Sequence, residues 1–451
     1  MGSEDQAARH AHLEEIVARM LESAKRLGAT AAEAGASESD GLSVGVRRQE
    51  LEQLEFSRDR SIGITVYMGQ RKGSASTTDT RSESLEETVA AACAIARSMA
   101  EDEYAGLAPA ERMATSLPDL DLYHPWQVDA DQAREIALAC EAAGLQVDPR
   151  IRNSEGAQVD SHRGIRVYGN SHGFLASVRG TRHSLSCSLI AEDDQGMERD
   201  YWYSSTRLPT ELESPALVGE RAAQRVIARL GARSAPTGQY PVAFAAEVAG
   251  SLFGHLIGAV SGGSIFRRAS FLVDAPGEML FPKEISVHER PRLPQEVASA
   301  AFDDDGVATA EKAIIDSGIL TGYLMSAYSA RRLGLESTGN AGGVRNVRLV
   351  DERARGTGLA EVLRELGDGL LVTEFLGQGV NQVTGDYSRG AAGFWVEGGE
   401  IAWPVSGVTV AGNLRDMFAG VRLAAEDIDA RGNIQTGTVL IDGMTVGGQQ
   451  G

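Results

Sequence analysis

Ala246-Glu247-Val248-Ala249-Gly250-Ser251-Leu252-Phe253-Gly254-His255 is the stretch that decides how this chain is read. It has the look of a zinc-binding helix, but a zinc-binding helix needs two histidines about one turn apart so that both imidazoles reach one ion. Here Glu247 is followed by a single histidine, His255, eight residues further on. Eight helical residues rise about 12 Å, too far for two side chains to share an ion whose ligands stand at roughly 2 Å. Taken alone, the stretch is an amphipathic helix bearing one carboxylate.

The chain around it has 451 residues, enough for two or three domains with a sizeable core. Its 43 lysines and arginines stand against 63 acids, a net charge of −20. That balance argues against a nucleic-acid surface, which needs clustered basic residues, and is met by a solvated acidic exterior. Cys93, Cys140 and Cys187 are far apart in sequence and lie in apolar or strand-like surroundings. They read as buried thiols of a reducing compartment rather than disulfides or ligands. No apolar run is long enough for a membrane span, and the N-terminus lacks the basic-then-apolar order of a signal peptide. The expectation is a cytoplasmic protein with neither membrane nor nucleic-acid partners.

The expected fold class is α+β, in two domains divided at a Pro- and Gly-containing linker near residue 235. Residues 1–235 are read as an α+β domain of helices and antiparallel hairpins. Helices are predicted at 5–28, 84–99 and 129–143, with a fourth capped by Ser214-Pro215 and ending at Gly231. Strand-like segments are predicted at 42–46, 61–68, 73–77, 164–168, 173–179 and 183–191. Residues 236–451 are read as a β-rich sandwich or barrel-like domain, because short β-rich segments and glycine turns dominate there. Helical pieces at 247–260 and 359–366 interrupt those strands.

Generic catalytic motifs are absent: no Walker A pattern, no Cys-x-x-Cys, no Gly-x-Ser-x-Gly. Asp303-Asp304-Asp305-Gly306 lacks the alternation of a calcium loop and reads as an acidic turn. None of the eight histidines has a second histidine three to five residues away, and His255 is read as a satisfied helix histidine. Arg267 and Arg268, after a Gly-Gly pair, suit either a carboxylate or a helix C-terminus. Asp386 and Arg389 sit in a polar turn between strands that they are expected to tie together.

Longer segments carry a resemblance. Glu247-Val248-Ala249 through His255-Leu256, Ser261-Gly262-Gly263-Ser264, Asp316-Ser317-Gly318-Ile319-Leu320-Thr321-Gly322-Tyr323 and Ser329-Ala330-Arg331-Arg332-Leu333-Gly334 follow in order. Thr338-Gly339-Asn340-Ala341-Gly342-Gly343, Gly385-Asp386-Tyr387-Ser388-Arg389-Gly390 through Trp395, and Ala411-Gly412-Asn413-Leu414 complete the series. Together these resemble the TldD/TldE (PmbA) metallopeptidase family, and within it the TldE or PmbA branch. The resemblance spans some 200 residues of the C-terminal half, and the N-terminal half fits the family's looser α+β domain.

The family's TldD-type subunit carries a His-Glu-x-x-x-His helix and a C-terminal cysteine ligand, and pairs with a TldE-type subunit around a peptide chamber. Carrying its glutamate onto Glu247 puts Ala246 and Ser251 at the histidine positions and Thr436 near the cysteine position. The resemblance thus implies a chain with no catalytic residues and no cofactor of its own. Its heterodimeric partner, a TldD-type catalytic subunit, would hold the zinc, and the substrate would be an unfolded or modified peptide. Residues offered for substrate or partner contact are His255, Arg267, Arg268, Asn340, Asp386 and Arg389. Two rivals remain: an independent homodimeric peptidase or N-deacylase using other residues, such as His255 with Asp386, and a stand-alone peptide-binding module.

Overall fold

In the computed structural model, which describes residues 3–448, the first half is one large sheet with four helices on one face. The elements run α1 (Ser3–Arg26), β1 (Ala31–Arg47), β2 (Glu50–Met68), β3 (Arg71–Thr77), α2 (Ser82–Ser98), α3 (Ala130–Leu145), β4 (Ile151–Asn170), β5 (Leu175–Asp193), β6 (Gly196–Thr206) and α4 (Pro215–Arg229). The six strands pair antiparallel in the order β3-β2-β1-β4-β5-β6. They are much longer than the sequence predicts. The segment 31–41 and the tip 50–60 carry small or charged residues in place of β-branched ones, so no strand is expected there, and β6 is not expected at all. Alternation still governs them: Ala32, Ala34 and Ala36 are buried while their neighbours are not.

One sheet face bears two separate cores. Ala34, Ile62, Ile64, Val66 and Val167 pack under α1 and α2. Val44, Val46, Val159, Leu185 and Leu189 pack under α3 and α4. Charged residues on the same face fill the gap: Arg60 donates to Glu38 at 2.7 Å, and Arg163 lies 3.5 Å from Asp40. Helices α3 and α4 approach closely because Gly144 faces Gly219. A Cβ on Gly219 would stand 2.0 Å from the Cys140 carbonyl oxygen. Cys140 lies beside Cys187 of β5, whose thiol pKa is pushed up by that neighbour and by burial.

The second half begins with β7 (Gly238–Phe244), α5 (Ala246–Val260), α6 (Gly262–Phe266), β8 (Ile285–Glu289), β9 (Lys312–Asp316), β10 (Ile319–Leu320), α7 (Ala327–Leu333) and β11 (Val347–Asp351). It continues with α8 (Leu359–Leu366), β12 (Gly369–Leu376), β13 (Asp386–Glu397), β14 (Glu400–Asn413), α9 (Leu414–Ala419), β15 (Val421–Ala424), β16 (Ile434–Gln435) and β17 (Val439–Gly448). Strands β14, β13, β12, β7 and β17 pair in succession, and β17 pairs back to β14, closing a five-stranded barrel. Phe244, Val372, Tyr387, Val410 and Ile441 belong to its core, together with Leu252, Phe253 and Leu256 of α5. A second sheet runs β10-β9-β8-β11-β16. The α+β class and the barrel-like second half are therefore as expected.

Polar contacts join the two halves. Arg331 donates to the carbonyls of Tyr104, Gly106 and Leu107 at 2.7 to 2.9 Å, and Arg207 donates to those of Glu296 and Val297. No helix among the described residues is long and apolar enough to cross a membrane.

Candidate functional site

Helix α5 starts directly after β7, with Ala245 in an extended conformation at its N-cap. Glu247 therefore lies in the first turn, where its carboxylate complements the helix dipole. Ala246 offers only a methyl group. The Ser251 hydroxyl donates to the Val248 carbonyl at 2.7 Å, a bond within its own helix. Gly250 and Gly254 leave room for β16: a Cβ on Gly250 would stand 3.2 Å from the Ile434 carbonyl oxygen. Two residues beyond Ile434, Thr436 is buried and its hydroxyl donates to the Gly437 carbonyl at 3.1 Å.

Glu247 itself is engaged from the other half of the molecule. Arg225 of α4 donates from Nη1 to Glu247 Oε1 at 2.6 Å and from Nε to Asp200 Oδ1 at 3.1 Å. One turn on, Arg229 donates to Glu374 Oε2 at 2.5 Å and stands 3.4 Å from Asp200. Burial pulls the Arg225 pKa down, but the carboxylates of Asp200 and Glu247 outweigh it and hold the guanidinium firmly charged. Trp202 completes the wall: Arg225 lies 5.5 Å from its ring centroid and Arg431 4.4 Å. Arg431 is fixed in turn by Asp429 at 2.8 Å and by the Tyr203 carbonyl at 3.1 Å. These groups surround a cavity of about 360 Å³ that Ser251 also lines.

Zinc does not fit this donor set. The only carboxylate at the helix position is paired with a guanidinium, and Ala246, Ser251 and Thr436 supply no thiolate or imidazole. Among the described residues, no three His, Cys, Asp or Glu side chains converge so as to hold a metal. Such a donor set offers no route to a metal-activated water for Glu247 to deprotonate.

The other residues singled out from the sequence are dispersed. Arg267 lies over the Phe266 ring at 5.2 Å, and exposed Arg268 stands 3.9 Å from Asp274. Asn340, offered as a contact residue, is buried, and its amide donates to both oxygens of Glu289 at 2.9 Å. Its role is to hold a buried carboxylate, and little of its side chain remains for a ligand. Asp386 accepts from Thr384 at 2.6 Å and ties its turn, as its polar setting suggests. Arg389 does not join it: the guanidinium lies 4.3 Å from the Phe375 ring centroid and donates to the Gly377 carbonyl.

His255 departs from its expected satisfied state. Its Nε2 is buried with no hydrogen-bond partner, and its ring meets Tyr387 edge-on at 5.9 Å. Asp386 and Tyr387 are consecutive strand residues whose side chains leave opposite faces, so Asp386 points away from His255. Burial, reinforced by the charge of Arg389, pushes the His255 pKa below its ordinary value. Histidines of the unfolded chain take up protons below about pH 6.5, and the buried one resists, so acidification favours unfolding. His255→Leu should therefore flatten the acid limb: stability lost between about pH 7.5 and about pH 5.5 falls by about 1 kcal/mol relative to the unaltered chain. Denaturant titration at both values checks this, and identical losses in the two proteins would refute it.

What sequence reading missed is the ionic clamp. Arg221, Arg225 and Arg229 recur every four residues along α4, a spacing visible in the sequence. Their carboxylate partners come from β6, α5 and β12, and from Glu213 just before the helix; only folding brings the strands and α5 to it.

The fold is α+β with a five-stranded barrel, and α5 carries Glu247 with Ala246 and Ser251 near it. Sequence profiles of the PmbA/TldA metallopeptidase domain 1, central domain and C-terminal domain match residues 32–96, 123–230 and 237–448. The chain is 48% identical over 437 residues to metalloprotease PmbA of Escherichia coli O157:H7, covering 97% of this chain and 96% of that protein. This chain belongs to the PmbA/TldD metallopeptidase family. A crystal structure of a putative modulator of DNA gyrase from Bacteroides thetaiotaomicron superposes with a TM-score of 0.91 at 25% identity, covering 96% of this chain and 98% of that one. TldE from Thermococcus kodakarensis shares the fold, with a TM-score of 0.81 at 18% identity, over 96% and 100% of the two chains.

Proposed function

We propose that this chain is the non-catalytic subunit of a heterodimeric, cytoplasmic zinc peptidase that acts on unfolded or modified peptides. The partner is a TldD-type chain that supplies both the zinc and the general base. The observation that carries this reading is the Arg225–Glu247 bond at 2.6 Å beside Ala246 and Ser251. A carboxylate clamped by a guanidinium is poorly placed to activate water, and its neighbours cannot ligate a metal.

A partner is supported by the free edge of β2. Residues 50–61 pair with β1 on one side, while β3 reaches only residues 62–68 on the other. Leu51, Leu54 and Phe56 are exposed there, Phe56 at 70%. An unpaired strand edge that exposes three large apolar side chains among charged ones can be covered by a partner. The three cysteines are free and buried, in keeping with a reducing compartment.

The test is metal analysis and peptide hydrolysis by the purified chain, alone and mixed with a TldD-type chain. The expected result is no zinc-dependent hydrolysis alone, and hydrolysis by a co-purifying complex. Stoichiometric zinc with zinc-dependent turnover by this chain alone would overturn the reading.

A further inference from the structure

On the opposite face of the large sheet from its helices lies a second cavity, an open cleft of about 980 Å³ whose other wall is made by α5 and loops of the C-terminal half. Arg166 of β4, Arg182 of β5 and Arg345 line it. Their charge is not matched. Asp304 is approached by both Arg166 at 3.1 Å and Arg345 at 3.9 Å, so one carboxylate serves two guanidiniums. Neighbouring Asp303 directs its oxygens to the backbone N–H groups of Asp305, Val307 and Ala341. Among the described residues the Arg182 side chain makes one hydrogen bond, to the Arg431 carbonyl at 3.1 Å, and no carboxylate lies within ion-pair distance of it. A chain of net charge −20 thus sets four arginines, Arg166, Arg182, Arg345 and Arg431, around this cavity against the acids Glu38, Asp303 and Asp304.

We infer that this cavity binds an acidic stretch of extended peptide, with Arg182 as its specificity-determining residue. Guanidinium forks match carboxylates bidentately, and low-dielectric walls concentrate the attraction. The volume reaches the upper end of small-ligand pockets, which suits several residues of chain rather than one small anion. The inference rests on the peptide reading above, but not on the missing metal chemistry or on a partner subunit.

The test uses the full chain alone and fluorescence anisotropy with two labelled, unstructured peptides of equal length. One carries repeated glutamates, and the second carries glutamines at those positions. A competition arm adds single-stranded DNA of equal charge, or unlabelled glutamate peptide, to the first complex. The glutamate peptide should bind at least about tenfold more tightly than the glutamine peptide. Arg182→Glu should abolish that preference, and Arg182→Gln should reduce it. Arg364→Glu, an exposed change on α8, should leave it intact. Melting curves establish that each variant is folded. Equal binding of the two peptides, an unaffected Arg182→Glu variant, or displacement by DNA as effective as by unlabelled glutamate peptide would each overturn the assignment. Loss of the glutamate preference leaves the zinc assay unchanged, and a chain that hydrolyses peptides alone leaves this binding result unchanged.

Discussion

Arg225→Ala is expected to destabilise the folded protein by about 2–3 kcal/mol. The figure lies between the worth of exposed ion pairs and the penalty for breaking fully buried ones, because both side chains of the Arg225–Glu247 pair are about one quarter exposed. The larger share comes from what is left behind. Asp200 is only 6% exposed, and without Arg225 it keeps the Tyr201 N–H at 2.7 Å and one weaker cationic partner, Arg229 at 3.4 Å. Glu247→Gln should cost less, since it removes a charge and keeps a hydrogen-bond acceptor. A double-mutant cycle between the two positions, read by denaturant unfolding, should return a coupling of about 1–2 kcal/mol. A coupling near zero would mean that the retained glutamate is not a structural clamp, and would reopen its role.

Gly219→Val should be the most disruptive single change of those considered, with a loss of about 3 kcal/mol or more. Leaving glycine ordinarily improves a helix by up to about 1 kcal/mol, so propensity and packing oppose one another here. Packing wins because the new Cβ would lie 2.0 Å from the Cys140 carbonyl oxygen and 2.9 Å from the Gly144 nitrogen. Both obstacles are backbone, which cannot rotate aside. Helix α4 would have to lift from α3, carrying Arg225 and Arg229 away from Glu247 and Glu374. Calorimetry should show the lowered melting temperature, and unchanged stability would disprove the close contact.

Both substitutions act on α4, a helix legible in the sequence, through contacts that are not. Helices α3, α4, α5 and α8 are legible because each has apolar periodicity and recognisable ends, such as Ser214-Pro215. The long strands are not. In the first half of β1 the buried apolar positions are Ala32, Ala34 and Ala36, whose intrinsic preference is helical, and they become strand only because the sheet and two helices enclose them. The expectation of a satisfied His255 fails for a related reason. Whether a buried nitrogen finds a partner depends on β13, more than a hundred residues away, which presents the Tyr387 ring there.

By itself, the sequence determined that the helix bearing Glu247 carries no histidine pair one turn apart. Alanine has no donor and serine is a poor one in any conformation, so Ala246 and Ser251 rule out a two-histidine helix before any fold is known. It also determined the α+β class, through periodicities that local sterics impose. Only the tertiary structure decided what became of Glu247. The residues that engage it or crowd around it lie on α4, β6, β12 and the segment before β16. Coulombic and stacking forces act through space over a few ångströms, without regard to separation along the chain, so the Glu247 carboxylate meets its counter-charge, Arg225, only when the two halves fold together.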